Sequence, residues 1–327
     1  MAIFKSANLL IKSNNEMRKV TLIEAPIDFS AYGHKEGAGS GPQKIRELQI
    51  ANILRKNNVD VSEVTNIKIP NTNNVTDITS KFEGETAEAS INVKNAVIDS
   101  LKNQRLPITI GGDHTVALGT IAGVNSFGKK TGILWIDAHA DANTPETTTS
   151  GNIHGMVAAN IMGYNHRVEM KKIFDSNYID QQNFVYLGLR NVDSPERELI
   201  KKDNILNFTI WDIERDGIEI VSGKALNYLS KKCDRLHISL DLDVVDEIWA
   251  PGVGIATEGG LTYREIIYLA HKLSKSNFSS LDVVELNTKT DIDNKTAELA
   301  LELICAFLGV NYGAYERFRD KRGPLLK

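Results

Sequence analysis

Short apolar runs alternate with amphipathic stretches along the whole of this 327-residue chain. Near-continuous apolar runs fall at residues 20–25, 59–61, 106–110, 132–137, 184–188, 206–211, 236–241 and 280–285. They are rich in β-branched residues and too short for helices, so each predicts a strand buried on both faces. Helical spacing occupies the stretches between them, near 41–57, 84–103, 115–124, 154–162, 194–202, 218–231, 262–274 and 294–308. Regular strand–helix alternation predicts an α/β fold, with a parallel sheet covered by helices on both faces. There is no internal repeat. The polar stretch "PNTNNVTDITSK", residues 70–81, reads as a surface loop and not as a domain linker, so a single domain is expected.

Composition narrows the function classes. Lys and Arg number 38 against 42 Asp and Glu, a net charge of −4, which argues against a nucleic-acid or membrane-surface footprint. Only two cysteines occur, Cys233 and Cys305, far apart and outside any CxxC. A disulfide framework is therefore not expected, and a reducing, cytoplasmic setting fits. No run approaches the roughly 18 apolar residues of a membrane-spanning helix. The N-terminal extension, about 1–19, has scattered lysines without the apolar core of a signal peptide; a weak organellar presequence is its other reading. The basic tail, about 311–327, reads as a solvated or subunit-contacting extension.

The chemistry concentrates at the ends of three apolar runs. "IDAHADANTPETTTSGNIHGM", residues 136–156, carries Asp137, His139 and Asp141 on alternate positions. On a strand, alternate residues point to one face, so this spacing predicts three converging groups at the C-terminal edge, where open α/β sheets bind ligands. Crowded carboxylates repel each other and resist desolvation, and a bound cation removes both problems. "ISLDLDVVD" repeats the device with Asp241 and Asp243, and "ITIGGDHTVALGT" adds His114 after a glycine pair. Two imidazoles and four carboxylates are too many for one ion. This mostly oxygen set with some imidazole suits Mn²⁺ better than a thiol-preferring metal, and two ions bridged by carboxylates and a hydroxide is the natural reading.

At this point the chain resembles the ureohydrolases and, within them, the arginases. "GGDHT", "DAHADANTPETTTSGNIHG", "SLDLDVVD…APGVG…GGLTYRE" and "VVELN" occur in that family's order, over about residues 20–309. The run "NTPETTTSGN" is the arginase form, which agmatinases lack. The resemblance implies one catalytic domain of three α/β/α layers with an eight-stranded parallel sheet, of the arginase/deacetylase-like kind. It implies two Mn²⁺ per subunit and hydrolysis of L-arginine to L-ornithine and urea, as in arginine metabolism and the urea cycle. It also implies a homo-oligomer, with a trimer favoured.

Carried over residue by residue, the resemblance makes His114, Asp137, His139, Asp141, Asp241 and Asp243 the metal ligands, with Asp137 and Asp241 bridging. Glu285 would accept guanidinium N–H bonds, and His154 would carry the proton for the leaving amine. Asn143 and Ser150, with Thr148 as a weaker candidate, would meet the α-carboxylate; Asp193 and Glu196 would meet the α-ammonium. The chain departs from the family pattern at Asn191, where Asp is common, and at Ile255 and Ala256, where Thr-Pro is common. Glu247 and Thr288 replace common prolines. None of these removes a ligand. Two other readings stay open: a related, agmatinase-like ureohydrolase acting on another guanidino or formimino compound, and a non-catalytic metal-binding regulatory homologue.

Overall fold

The computed structural model describes residues 17–29, 36–62, 64–72, 75–128 and 130–313. Residues 1–16 of the expected N-terminal extension and residues 314–327 of the expected basic tail lie outside them. In chain order the elements are β1 (Arg18–Ala25), α1 (Gly41–Glu47), α2 (Ile50–Lys56), β2 (Val59–Val61), β3 (Thr65–Asn66), α3 (Glu83–Lys102), β4 (Leu106–Gly111), α4 (Val116–Asn125), β5 (Thr131–Ile136) and α5 (Val157–Ile161). They continue as α6 (Val168–Phe174), β6 (Phe184–Leu189), α7 (Ser194–Lys202), β7 (Leu206–Thr209), α8 (Ile210–Asp216), α9 (Ile218–Lys232), β8 (Arg235–Asp241), α10 (Tyr263–Leu273), β9 (Ser280–Val284) and α11 (Lys295–Phe307).

All pairings between these strands are parallel, in the order β2-β1-β4-β9-β8-β5-β6-β7. The expected eight strands are present. The ninth, β3, is a two-residue segment that pairs with β1 beyond the end of β2. Alternate residues on each strand serve opposite layers. Leu134 and Ile136 of β5 pack with residues of α9, α10 and α11, such as Leu229, Ile266 and Ile304. Ile133 and Trp135 pack with Leu118, Val157 and Ile173 of α4, α5 and α6. Helices cover both faces, which is why the strands read as continuous apolar runs.

Three expectations shift. The strand expected over 206–211 ends at Thr209, whose hydroxyl accepts from the Asp212 backbone N–H while the Asp212 side chain reaches back. That capping box outweighs the β preference of Ile210 and Trp211 and starts α8, leaving Trp211 78% exposed. The helix expected over 41–57 breaks in two at Gln49, which is left-handed with φ 65°. Short α6 has no counterpart in the sequence pattern, because seven residues carry too little periodicity. No helix among the described residues is long and apolar enough to cross a membrane.

Candidate metal centre and substrate cleft

Strands β4, β9, β8 and β5 are neighbours, so their C-terminal ends form one edge. His114 follows β4, Glu285 follows β9, Asp241 ends β8, and Asp137 follows β5. The sheet order thus brings together groups that lie up to 171 positions apart in the chain. The tight approach after β4 requires glycine: a Cβ on Gly112 would sit 1.9 Å from the carbonyl oxygen of Ile27.

His114 is buried, and its ring stacks on Trp135 with 3.9 Å between centroids. Its Nε2 lies 2.9 Å from the Ser239 hydroxyl. Its Nδ1 faces three carboxylate oxygens, of Asp137 at 3.1 Å and of Asp141 and Asp241 at 3.2 Å each. Yet Nδ1 makes no hydrogen bond. The second imidazole repeats the arrangement: His139 Nδ1 is 2.9 Å from Asp243 and 3.6 Å from Asp137. Asp137 divides its oxygens, Oδ2 toward His114 and Oδ1 toward His139. Two groups with metal-ligand spacing result, His114–Asp137–Asp241 and Asp137–His139–Asp243, and Asp137 belongs to both. Asp241 falls in the first alone, where its Oδ1 accepts from the Asp243 backbone N–H at 2.8 Å.

The convergence has a different local cause from the one expected. β5 ends at Ile136, so Asp137, His139 and Asp141 lie on a turn and not on a continuing strand. Asp137 Oδ1 accepts from the His139 N–H at 2.7 Å, and Asp141 is left-handed with φ 47°. Glu285 shares that strained conformation, with φ 66°. Strain of this kind persists where surrounding structure enforces it, often at functional sites.

The electrostatics ask for a cation. Burial and the Asp137 charge push the Asp141 carboxyl up to about 6. Burial, with Asp243 and Asp137 nearby, carries Asp241 well above the usual carboxylate range, and burial raises Asp243 as well. Burial alone would lower both imidazoles, but the facing carboxylates raise His114 and His139 well above the ordinary value. Each acid would hold a shared proton where a cation does the same work for several at once. Three carboxylate oxygens stand 3.1–3.2 Å from an orphaned Nδ1, close enough for these groups to share one ion. The residues therefore fit a divalent ion at each group.

The groups form the floor of a cleft of about 220 Å³, smaller than the roughly 300–1,000 Å³ typical for drug-sized ligands, so the ligand is small. Its walls carry Asn143, Thr148, Ser150, His154, Asp193, Glu196, Ile255 and Glu285, so all the expected site residues meet here except His114 and Asp137, which lie beneath. Asn143 donates to Asp193 at 2.9 Å. Thr148 and Ser150 hydroxyls accept backbone N–H bonds of their own loop. Gly151 holds that loop against residues 78–79; its φ is 72°, and a Cβ would collide with the Ile78 carbonyl at 1.8 Å. Glu196 is more deeply engaged than expected, because its two oxygens accept the N–H groups of Ala142 and Asp193 at 2.8 Å each. Burial pushes its carboxyl up to about 7. His154 Nδ1 stands 3.7 Å from Glu285 Oε1, outside both metal-spaced groups; burial lowers the imidazole, and Glu285 more than restores it. Glu285 Oε1 also accepts the His114 N–H at 2.9 Å, so a backbone donor holds it; Ile255, on the wall of the same cleft, has no side-chain donor.

Sequence reasoning passed over Trp135, Ser239 and Arg190. Trp135 donates to Asp137 Oδ2 at 2.9 Å. Ser239 was within reach of the alternation rule, being two residues before Asp241. Arg190 gave no signal inside "GLRNVDSPE", because its partners are distant carbonyls. Its guanidinium donates to the carbonyls of Asp243, Val244, Val245, Thr257 and Glu258, tying the Asp243 turn to the loop that follows Ile255. Arg190→Ala is expected to cost about 2–4 kcal/mol by stranding these acceptors, a fall in Tm of about 3–6 °C for a chain of this length. Arg190→Lys should recover only part, since one ammonium cannot fork across five carbonyls. Thermal unfolding of the three proteins measures it, and an unchanged Tm for Arg190→Ala removes the staple role.

A family model described as Arginase, Arginase family, matches residues 18–309. An arginase of Staphylococcus aureus (strain COL) is 35% identical over 299 residues, covering 89% of this chain and 97% of that protein. The native structure of an arginase from Bacillus caldovelox superposes with a TM-score of 0.84 at 32% identity, covering 90% of this chain and 99% of that one. An Entamoeba histolytica arginase solved in complex with L-ornithine gives 0.83 at 30% identity, covering 90% and 100%.

Proposed function

Because this chain belongs to the arginase family, we propose that it hydrolyses L-arginine to L-ornithine and urea with two Mn²⁺ ions per chain. The observation that carries the reading is the pair of imidazole–carboxylate groups sharing Asp137 at the floor of a small cleft. His114, Asp137, Asp141 and Asp241 would hold one ion, and Asp137, His139 and Asp243 the other, with Asp241 beside them as a second carboxylate that could serve both. When bound, two divalent ions supply what no side chain can, the ionisation of water near neutral pH. The remaining work falls to the chain. Glu285 accepts guanidinium N–H bonds through its carboxylate and holds the planar group over the floor. As the oxygen of water adds to the guanidinium carbon, the C–N bond to the chain nitrogen breaks, leaving urea, and His154 delivers a proton to that nitrogen as it leaves. Asn143, Ser150 and Thr148 take the α-carboxylate. Asp193 takes the α-ammonium, with Glu196 as a charge behind it that also fixes the Ala142 backbone. L-ornithine, with which the Entamoeba relative was solved in complex, carries the same α-amino-acid head.

The test is release of urea and ornithine from L-arginine by Mn²⁺-loaded protein, with agmatine and a formimino amino acid run beside it. Turnover on arginine at least about ten times that on either comparator, with near two Mn²⁺ per chain, is expected. Faster turnover on a comparator makes the chain another ureohydrolase. Two bound ions without any turnover favour the regulatory reading. We also propose a trimer working in the cytoplasm; sedimentation of the loaded protein reads the assembly.

A further inference from the structure

The polar stretch 70–81 ends against the loop that walls the substrate cleft. The Lys81 backbone N–H donates to the Gly151 carbonyl at 2.9 Å, and Gly151 lies so close over the Ile78 carbonyl that no Cβ fits. Ser150 precedes Gly151, and the Thr148 hydroxyl accepts the Gly151 N–H at 3.0 Å. Both hydroxyls offered to the α-carboxylate therefore hang on this junction. No strand or helix covers residues 77–82. Their side chains close instead on one cation. The Arg167 guanidinium pairs with Asp77, donates to the Thr79 hydroxyl at 2.8 Å and reaches Glu83 at 3.2 Å. The other Asp77 oxygen accepts the N–H and the hydroxyl of Thr79, at 2.8 and 2.7 Å, which completes a closed turn. Arg167 itself stands just before α6, which buries Met170, Ile173 and Phe174, and its backbone N–H donates to Asn165 at 3.0 Å. The cation is thus anchored on the core, and the turn it grips is anchored on the cleft loop.

We propose that Arg167 is a positioning residue for recognition of the amino-acid head, acting through the 77–83 turn on the loop that carries Thr148 and Ser150. The inference rests on the reading above, in which that loop takes the α-carboxylate. Arg167 does not line the cleft, so it acts through this junction and not by touching the substrate. A carboxylate site made of loop hydroxyls binds only when they converge, and ordering them on binding costs affinity. Arg167 supplies part of that order before the substrate arrives. Its contacts are half-exposed and each alone is worth little, but the planar fork closes on three partners at once. The metal-spaced groups sit instead at the ends of β4, β5 and β8. Loss of Arg167 should therefore reach the head of the substrate and leave the ions.

Urea-release kinetics and amide hydrogen exchange on Mn²⁺-loaded full-length protein test this. A wild type that does not hydrolyse arginine fails the functional reading itself, whereas the exchange readout needs no substrate and still tests the link between the loops. With an active wild type, Arg167→Ala should raise the KM for arginine and the inhibition constant of L-ornithine by about five- to twentyfold, with kcat within about threefold. Metal content should not change. Exchange should speed up in peptides spanning 77–83 and 144–152 together. Arg167→Lys should recover only part, because an ammonium cannot fork across the same partners. Asp77→Asn should act in the same direction as Arg167→Ala, and the double variant should be no worse than Arg167→Ala alone. An unchanged KM, a fall in kcat alone, loss of metal, additive losses in the double variant, or faster exchange in 77–83 without 144–152 would overturn the proposal. If Arg167→Ala does not fold, Asp77→Asn decides by the same readouts, and wild-type KM and exchange in that variant overturn it.

Discussion

Asp137→Asn is expected to leave a folded protein that binds less than one Mn²⁺ per chain and turns over arginine at least about 1,000-fold more slowly. Asp137 is the one residue common to both metal-spaced groups, with one oxygen on each side. An amide keeps the shape but removes the charge, and only one of its two atoms can accept. The other would face the N–H of Trp135 or of His139, both of which Asp137 now accepts. That mismatch costs about 1–3 kcal/mol, offset in part by relief among the crowded acids that raise Asp141 and Asp241. The clean readout is the metal-induced rise in Tm. A ligand at 100 times its Kd stabilises the folded state by about 2.7 kcal/mol, and wild type should show that rise while Asp137→Asn does not. Two ions per chain with normal urea release from the variant would remove Asp137 from the shared role.

Glu285→Gln should separate substrate binding from metal binding. Its Oε1 accepts the His114 N–H, while Gly254 leaves room beside Oε2, where an added Cβ would come within 3.4 Å. Glutamine will keep its oxygen on the His114 donor and turn its NH₂ to the cleft, donor against the donors of a guanidinium. A charge-assisted bond becomes a repulsive contact, worth about 2.7–4 kcal/mol of transition-state stabilisation, or 10²–10³-fold in kcat/KM. Metal content and Tm should not move, because the left-handed backbone at this position costs glutamine what it costs glutamate. Paired urea-release kinetics and metal analysis check it. A variant within threefold of wild type would mean that Glu285 does not hold the guanidinium.

Much of this protein is determined by local pattern. Strand runs and helical spacing alternate because side chains must match the layer they face, and that requirement is written in neighbouring residues. The ligands were legible for the same reason. Acids and imidazoles placed directly after buried strands have no stable role without a partner charge, so Asp137, His139, Asp141, Asp241 and Asp243 stood out. Contacts between distant segments were not legible. Nothing near Arg190 announces that its guanidinium will close on carbonyls of residues 243–258. The stretch "DSPE" reads as a capped helix start, which accounts for the Glu196 oxygen on the Asp193 N–H, but nothing in it tells that the other oxygen is taken by the N–H of Ala142. Even correct expectations had a hidden cause: Asp141 reaches His114 through a left-handed turn and not by strand alternation. The sequence by itself determined which residues are strand ends, which are helix faces, and which groups need a cation. Only the tertiary structure decided the strand order that sets β4, β9, β8 and β5 side by side. Pairing between distant strands depends on long-range burial and loop closure, which no short window of sequence encodes.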